Sequence, residues 1–339
     1  MKAFHLQRFI GPAGLALREH PLPNPRHGEV RVRLRAASLN YRDLAAAQGV
    51  FGEWVREGVI PLSDGAGEIA AVGEGVSRFR VGDRVMLTFY DQWIAGEKPN
   101  YGDPFGRGFQ VDGLLTQAAI ASEDALVRIP EHLSYEEAAT LPCAAVTAWA
   151  ALIGYGALLP GQTALVQGTG GVAIFALQLA QLFGSRVIAI TSSDDKVARL
   201  KALGADAVVN YRMLPQWDQE VLRLTDGRGA DLVVDVGGAD TVARSVASAR
   251  VGGRVSLVGL LTGAPHEGLG AAHALFGRGI QLHPIQVGSR AHFEAMNRAI
   301  GYKMLRPVID RVFPFDRAQE AFERLASREH VGKVVVRID

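Results

Sequence analysis

Two textures of hydrophobic patterning divide the chain. From Met1 to about Ser122, short runs such as Val30-Arg31-Val32-Arg33-Leu34 alternate apolar with polar residues. Gly and Pro punctuate them, and stretches such as Val81-Gly82-Asp83-Arg84 carry turn chemistry, so this half reads as mostly antiparallel β. From about Ala125, apolar strands alternate with helical periods, the signature of βαβ units in a parallel sheet. The pattern predicts strands at Thr163–Gln167, Arg186–Thr191, Ala207–Asn210, Leu232–Asp235, Val255–Gly259 and Ile280–Pro284. Helices belong between them, among them Val172–Phe183 and Asp194–Ala202.

From Arg290 the pattern gives two amphipathic helices, around Phe293–Tyr302 and Arg317–Ala326, then a strand, Lys333-Val334-Val335-Val336-Arg337. No further βαβ unit precedes that strand, so it is expected to return to the first domain. The expectation is a discontinuous β domain over residues 1–124 and 290–339, with a doubly wound parallel α/β domain over 125–289. Neither an internal repeat nor a low-complexity linker interrupts the pattern.

Composition narrows the function classes. Lys and Arg number 36 against 35 Asp and Glu, and no basic block stands out, so the counterion-releasing surface of a nucleic-acid binder is not expected. Cys143 is the single cysteine, which excludes an internal disulfide and a multi-cysteine zinc site. Residues 138–185 carry no charge, yet Pro142, Pro160, Gly161 and the glycines from Gly168 onward interrupt the stretch too often for a bilayer-crossing helix. The opening Met1-Lys2-Ala3-Phe4-His5-Leu6 lacks the apolar core of a signal peptide, so a cytoplasmic protein is expected.

The strand Thr163–Gln167 runs into Gly168-Thr169-Gly170-Gly171-Val172-Ala173 and then into an apolar helix. Glycines permit the tight turn and the close approach of a pyrophosphate, which the free N–H groups and dipole of the helix start then hold. An NAD site is expected to place an acid at the end of the second strand, but Thr191-Ser192-Ser193 stands there. Ser192 can donate to a phosphate and Lys196 adds a positive charge one helical turn on, which favours NADP(H). A second reading stands beside it: Ser193 or Asp194 caps the next helix, and Lys196 is a solvated surface charge.

Several stretches complete a family pattern: Ser38-Leu39-Asn40-Tyr41-Arg42-Asp43, Asp64-Gly65-Ala66-Gly67-Glu68, Val72-Gly73-Glu74-Gly75-Val76, Val81-Gly82-Asp83-Arg84-Val85, Leu141-Pro142-Cys143 and Thr147-Ala148-Trp149, together with the glycine turn. In combination they resemble the medium-chain dehydrogenase/reductase superfamily, and within it the zinc-independent, quinone-oxidoreductase-like branch, over essentially the whole chain. The resemblance implies a GroES-like β domain, a Rossmann domain, a nicotinamide and substrate meeting in the cleft between them, and a homodimer formed through the Rossmann domains. It implies a 2′-phosphate pocket of Ser192, Lys196 and Tyr211, with Arg328 as a fourth contact, and places Thr147, Gly259 and Val287 near the nicotinamide. Zinc-dependent relatives carry Cys where Asn40 stands and His-Glu where Ser63-Asp64 stand. The cysteine-rich structural-zinc lobe is also missing, and none of the nine histidines lies three to five residues from another.

Without a strong Lewis acid, simple carbonyls are poorer hydride acceptors, whereas a quinone or conjugated enone spreads the incoming charge through its own π system. Asn40 is the expected polar contact near the reacting centre, with Tyr41, Asp43 and Ser63 placed to donate or relay a proton. Turn chemistry is an equally weighted reading of Asn40 and Asp43. Cys143 reads as a core residue because no histidine partner is suggested. The Phe89–Gly113 segment, with Tyr90, Trp93, Tyr101, Phe105 and Phe109, reads either as a substrate-covering loop or as a packed insertion. The leading expectation is an NADPH-dependent reductase of quinones or activated alkenes. A zinc-independent alcohol dehydrogenase and a non-catalytic NADPH sensor are the alternatives.

Overall fold

The computed structural model describes residues 1–100, 106–154, 156–259 and 272–339. The chain forms two compact units: Met1–Val146 with Gly288–Asp339, and Thr147–Val287. Among the described residues no helix is long and apolar enough to cross a membrane.

The first unit is built on a seven-stranded sheet. Its strands run in the order Ile309–Pro314, Lys333–Arg337, Glu29–Ser38, Asp64–Val72, Arg84–Leu87 and Leu126–Arg128, and Ala118–Ser122 also pairs with Glu29–Ser38. The pairings are antiparallel except that of Ile309–Pro314 with Lys333–Arg337, which is parallel. The alternation read in residues 30–34 is real: Val30, Val32 and Leu34 are buried in the core while Arg33 faces solvent. The C-terminal strand docks antiparallel onto Glu29–Ser38, pairing Val335 with Ser38. The helix Ala318–Ala326 buries Ala318, Ala321, Phe322 and Leu325, a spacing that forms one stripe of an α-helix.

The second unit is a six-stranded parallel sheet. We label its strands β1 (Thr163–Gln167), β2 (Arg186–Thr191), β3 (Ala207–Asn210), β4 (Ala230–Asp235), β5 (Ala249–Leu257) and β6 (Gln281–Pro284). Their spatial order is β3-β2-β1-β4-β5-β6, the doubly wound Rossmann order, so the direction of winding reverses between β1 and β4. β1 is buried along its whole length, as a central parallel strand covered on both faces must be. One face of the sheet packs Leu165, Ile188, Val209 and Val233 against Trp217 and Val221 of the helix Trp217–Leu224 and Val246 of the helix Val242–Ser248.

Several expected boundaries move, two of them substantially. Residues 125–146 belong to the first unit, not the second, because Leu126–Arg128 pairs with Arg84–Leu87 and the helix Tyr135–Ala139 packs on the strands Glu29–Ser38 and Asp64–Val72. Strand pairing leaves no mark in local periodicity, so the change of texture at Ala125 came one supersecondary unit too early. The strand expected at Val255–Gly259 spans Ala249–Leu257, since the N–H groups of Val258 and Gly259 both turn to the Asp235 carbonyl.

Phe322 is fully buried beneath the first sheet. Phe322→Ala is expected to lower unfolding stability by about 3–5 kcal/mol, read as a lower urea midpoint for the first unit at unchanged slope. An unchanged midpoint would show that this helix does not close the core.

Candidate functional site

In the first unit, polar chemistry converges on one carboxylate. Asp64, at the start of its strand, is fully buried. Its Oδ2 accepts from Asn40 Nδ2 at 2.9 Å and Ser38 Oγ at 3.2 Å, and its Oδ1 accepts from Ser63 Oγ at 3.0 Å. Lys333 Nζ lies 3.3 Å from Oδ2 and also donates to Asn40 Oδ1 at 2.6 Å and to the Leu39 carbonyl at 2.7 Å. Three ammonium hydrogens meet three acceptors, so Lys333 is a fixed charge with no proton left for substrate. The Ser63 hydroxyl is likewise buried and committed to Asp64, which makes it a support for the carboxylate.

Those neighbours fix the Asn40 amide. A donor-only ammonium faces its oxygen and an acceptor carboxylate faces its nitrogen, so the orientation is set, and one Nδ2–H remains to donate. Asn40 also caps the helix Tyr41–Ala47: Asp43 Oδ2 accepts from its backbone N–H at 2.9 Å. Turn chemistry thus describes Asn40 and Asp43, and the Asn40 side chain is at the same time one of the polar groups around Asp64. Tyr41 begins that helix and is about one-third exposed at 36%. Asp43 is buried, with its Oδ1 3.0 Å from Arg42. Burial pushes its carboxyl up to about 6, partly offset by the Arg42 charge. Burial also drives the Cys143 thiol upward, with the Asp64 charge adding to it, which disfavours the thiolate.

Arg42, unremarked in the sequence, ties this helix to the aromatic segment. Its guanidinium stacks 4.0 Å over Phe109 and 5.0 Å from the Phe89 ring centre and donates to the Arg107 carbonyl. Arg107 forks onto Asp91 with contacts of 3.0 and 2.6 Å, and Phe89, Tyr90, Trp93 and Phe109 are all buried. The carbonyls of Trp93 and Ile94 accept the first N–H groups of the helix Arg290–Lys303. The described part of the segment is thus a packed insertion; Tyr101 and Phe105 lie outside the described residues.

In the second unit, Gly168 takes a left-handed φ of 81° and Gly170 caps the twelve-residue helix Gly171–Leu182. That helix has no acidic residue in its first turn and no side-chain cap, which leaves its N–H groups for a ligand anion. A Cβ at Gly168 or Gly170 would meet nothing within 4 Å, so the open space a pyrophosphate needs is present. Val172 lies in the same first turn. Lys196 Nζ donates to Thr169 Oγ1 at 3.1 Å, bringing its charge to the glycine turn. Ser192 follows β2 directly, and the Tyr211 N–H binds the Thr191 carbonyl, which brings Tyr211 beside it. Asp194 accepts from Asn210 Nδ2 at 2.7 Å, so that carboxylate is engaged within the protein.

The remaining sites are placed less directly. Thr147 is buried at the start of the second unit, and Gly259 sits so tightly against Val236 that a Cβ would collide with its carbonyl. Val287 closes the unit with a left-handed φ of 57°, a strained conformation for a β-branched residue. Arg328 follows the helix Ala318–Ala326 and belongs to the first unit, not to the one holding Ser192, Lys196 and Tyr211. Among the described residues, no group of three or more His, Cys, Asp or Glu could hold a metal ion.

A model of the alcohol dehydrogenase GroES-like domain matches residues 26–131, and one described as zinc-binding dehydrogenase matches residues 171–301. A zinc-type alcohol dehydrogenase-like protein of Schizosaccharomyces pombe is 41% identical over 92% of this chain and 91% of its own length. The chain belongs to the medium-chain dehydrogenase/reductase superfamily. A solved NAD-dependent alcohol dehydrogenase superposes with a TM-score of 0.90 at 33% identity, covering 100% of both chains. A quinone oxidoreductase of Pseudomonas syringae pv. Tomato DC3000 superposes with a TM-score of 0.83 at 25% identity, covering 99% of each. This medium-chain member is therefore a nicotinamide-dependent oxidoreductase, and the glycine turn of its second unit fits the dinucleotide.

Asp43 gives the superfamily member a pH signature. Because its folded pKa lies above that of an unfolded aspartate, the folded state holds the extra proton, and this contribution is present at low pH and lost as pH rises through about 6. Asp43→Asn is expected to remove about 1–3 kcal/mol of that dependence between roughly pH 4 and 6, measured by urea unfolding across pH. An identical slope in both proteins would mean that Asp43 stays ionised when folded.

Proposed function

We propose that the protein uses NADP(H) to reduce a quinone or a conjugated carbonyl or alkene, and does so without zinc. The observation that carries this reading is the Lys333 ammonium held between Asn40 Oδ1 and Asp64 Oδ2. The resemblance puts the metal of zinc-dependent relatives beside Asn40 and the pair Ser63-Asp64, which stand where those relatives carry Cys and His-Glu. Here a fixed positive charge sits between them, and a dication would be repelled from the same space. The bound nicotinamide supplies hydride; the chain supplies positioning and hydrogen-bond donors.

The donors are weak ones, which selects the acceptor. Asn40 offers one N–H from an amide whose orientation its neighbours fix, and Tyr41 offers a partly exposed hydroxyl. Such groups suit an acceptor that delocalises the arriving charge, with Tyr41 as proton donor. Asp43, whose carboxyl is pushed up to about 6 by burial, accepts from the Asn40 backbone N–H and holds the start of the helix that carries Tyr41. Relatives named zinc-type alcohol dehydrogenase-like and NAD-dependent alcohol dehydrogenase support one alternative, an alcohol dehydrogenase, which with Lys333 in this place would work without zinc. NADP(H) preference rests on Ser192, Lys196 and Tyr211 around the ends of β2 and β3.

Steady-state assays with a quinone, an enone, a simple ketone and a primary alcohol are expected to give turnover with the first two at full rate after chelation. Lys196→Ala should raise KM for NADPH about tenfold and leave that for NADH nearly unchanged. Turnover on simple alcohols alone, or loss of activity on chelation restored by zinc, would overturn the reading.

We further propose a cytoplasmic homodimer joined edge to edge through β6. That strand ends the sheet order, and Phe276, in the helix Ala272–Arg278 just before it, is 94% exposed. Light scattering should give twice the chain mass, and Phe276→Glu should shift it toward the monomer; a wild-type monomer at micromolar concentration contradicts the assembly.

A further inference from the structure

Asp235 ends β4 and is fully buried, and among the described residues its hydrogen-bond partners include no cation. Its Oδ1 accepts from the N–H groups of Gly237 and Gly238 at 3.0 Å each and from Thr241 Oγ1 at 2.8 Å. Its Oδ2 accepts from Ser245 Oγ at 2.6 Å. Ser245 is also fully buried, and its single hydroxyl proton is spent on the carboxylate. Ser245 can therefore meet a third group only as acceptor, and Gln167 Nε2 donates to it at 2.6 Å.

The direction of this relay fixes the Gln167 amide without ambiguity, because a flipped amide would set oxygen against oxygen. It leaves Gln167 Oε1, buried and without a hydrogen-bond partner among the described residues. A buried acceptor left unmet is unfavourable enough that a water or ligand donor normally satisfies it. Its location is informative. Gln167 is the last residue of β1, next to Gly168, and β1 and β4 are the pair between which the strand order reverses, where ligands enter a doubly wound sheet.

We propose that Gln167 Oε1 accepts a hydrogen bond from a ribose hydroxyl of the bound dinucleotide, and that Asp235, acting through Ser245, is the positioning residue that keeps this acceptor turned away from Ser245. The inference rests on the nicotinamide cofactor of the glycine turn and not on the choice of electron acceptor. Asp235→Asn tests it with little change of shape. The new amide nitrogen would donate to Ser245, whose proton would then pass to Gln167, turning that amide over and presenting N–H where oxygen stood.

Equilibrium binding of NADPH to the full-length chain, followed by calorimetry, is the readout, with circular dichroism to confirm folding. Asp235→Asn and Gln167→Leu should each weaken binding about tenfold, and the double variant should be no weaker than either alone. Ser245→Ala, which cuts the relay without altering charge, should lose a similar factor and serves if Asp235→Asn fails to fold. Binding within twofold of wild type in the folded single variants, with only their melting temperatures lowered, would assign the acceptor to a structural water and overturn the proposal. Additive losses would overturn the relay. Failure of the wild-type chain to bind NADPH would instead refute the cofactor assignment.

Discussion

A carboxylate taken out of water must be surrounded by donors, and the two units of this protein each hold one carboxylate that meets that demand. Asp64 and Asp235 are both fully buried. The first is met by an ammonium, an amide and hydroxyls, the second, among the described residues, by backbone N–H groups and hydroxyls and no cation. Removing one partner of such an ion pair leaves an uncompensated charge, which costs several kcal/mol, so these clusters hold their geometry firmly. The Asn40 amide and the Gln167 amide inherit that rigidity, since each is oriented by a neighbour that can only accept or only donate.

The same demand shapes the surroundings. The helix bearing Tyr41 and Asp43 is held at one end by Asn40 and along its side by Arg42, whose guanidinium lies over two buried rings. Arg107 and Asp91 then fasten the segment that carries those rings. What composition presented as an open choice between a loop and an insertion is decided by burial: Phe109 has no exposed surface. In the second unit the strain is backbone strain instead, with Val287 in a left-handed conformation at the unit's end.

Local chemistry was legible where the partners are close in sequence. The glycine turn, Ser192 and Lys196 lie within a single βαβ stretch, and turn and helix-cap rules act over a few residues. The Lys196 contact with Thr169 and the placement of Tyr211 beside Thr191 follow from the parallel register of neighbouring strands. Lys333 was read only as the first residue of a strand. A lone charge opening a run of valines was the available sign, but its partner Asp64 lies 269 residues away.

By itself, the sequence determined the alternation of strands and helices, the glycine turn and the absence of paired histidines, because these depend on periodicity and on neighbours a few positions apart. The tertiary structure alone decided that residues 125–146 join the first unit, that Lys333 pairs with Asp64, and that Gln167, Ser245 and Asp235 form one directed relay. Those outcomes depend on which distant strands become neighbours and on which buried groups must then satisfy one another. No local pattern encodes that requirement.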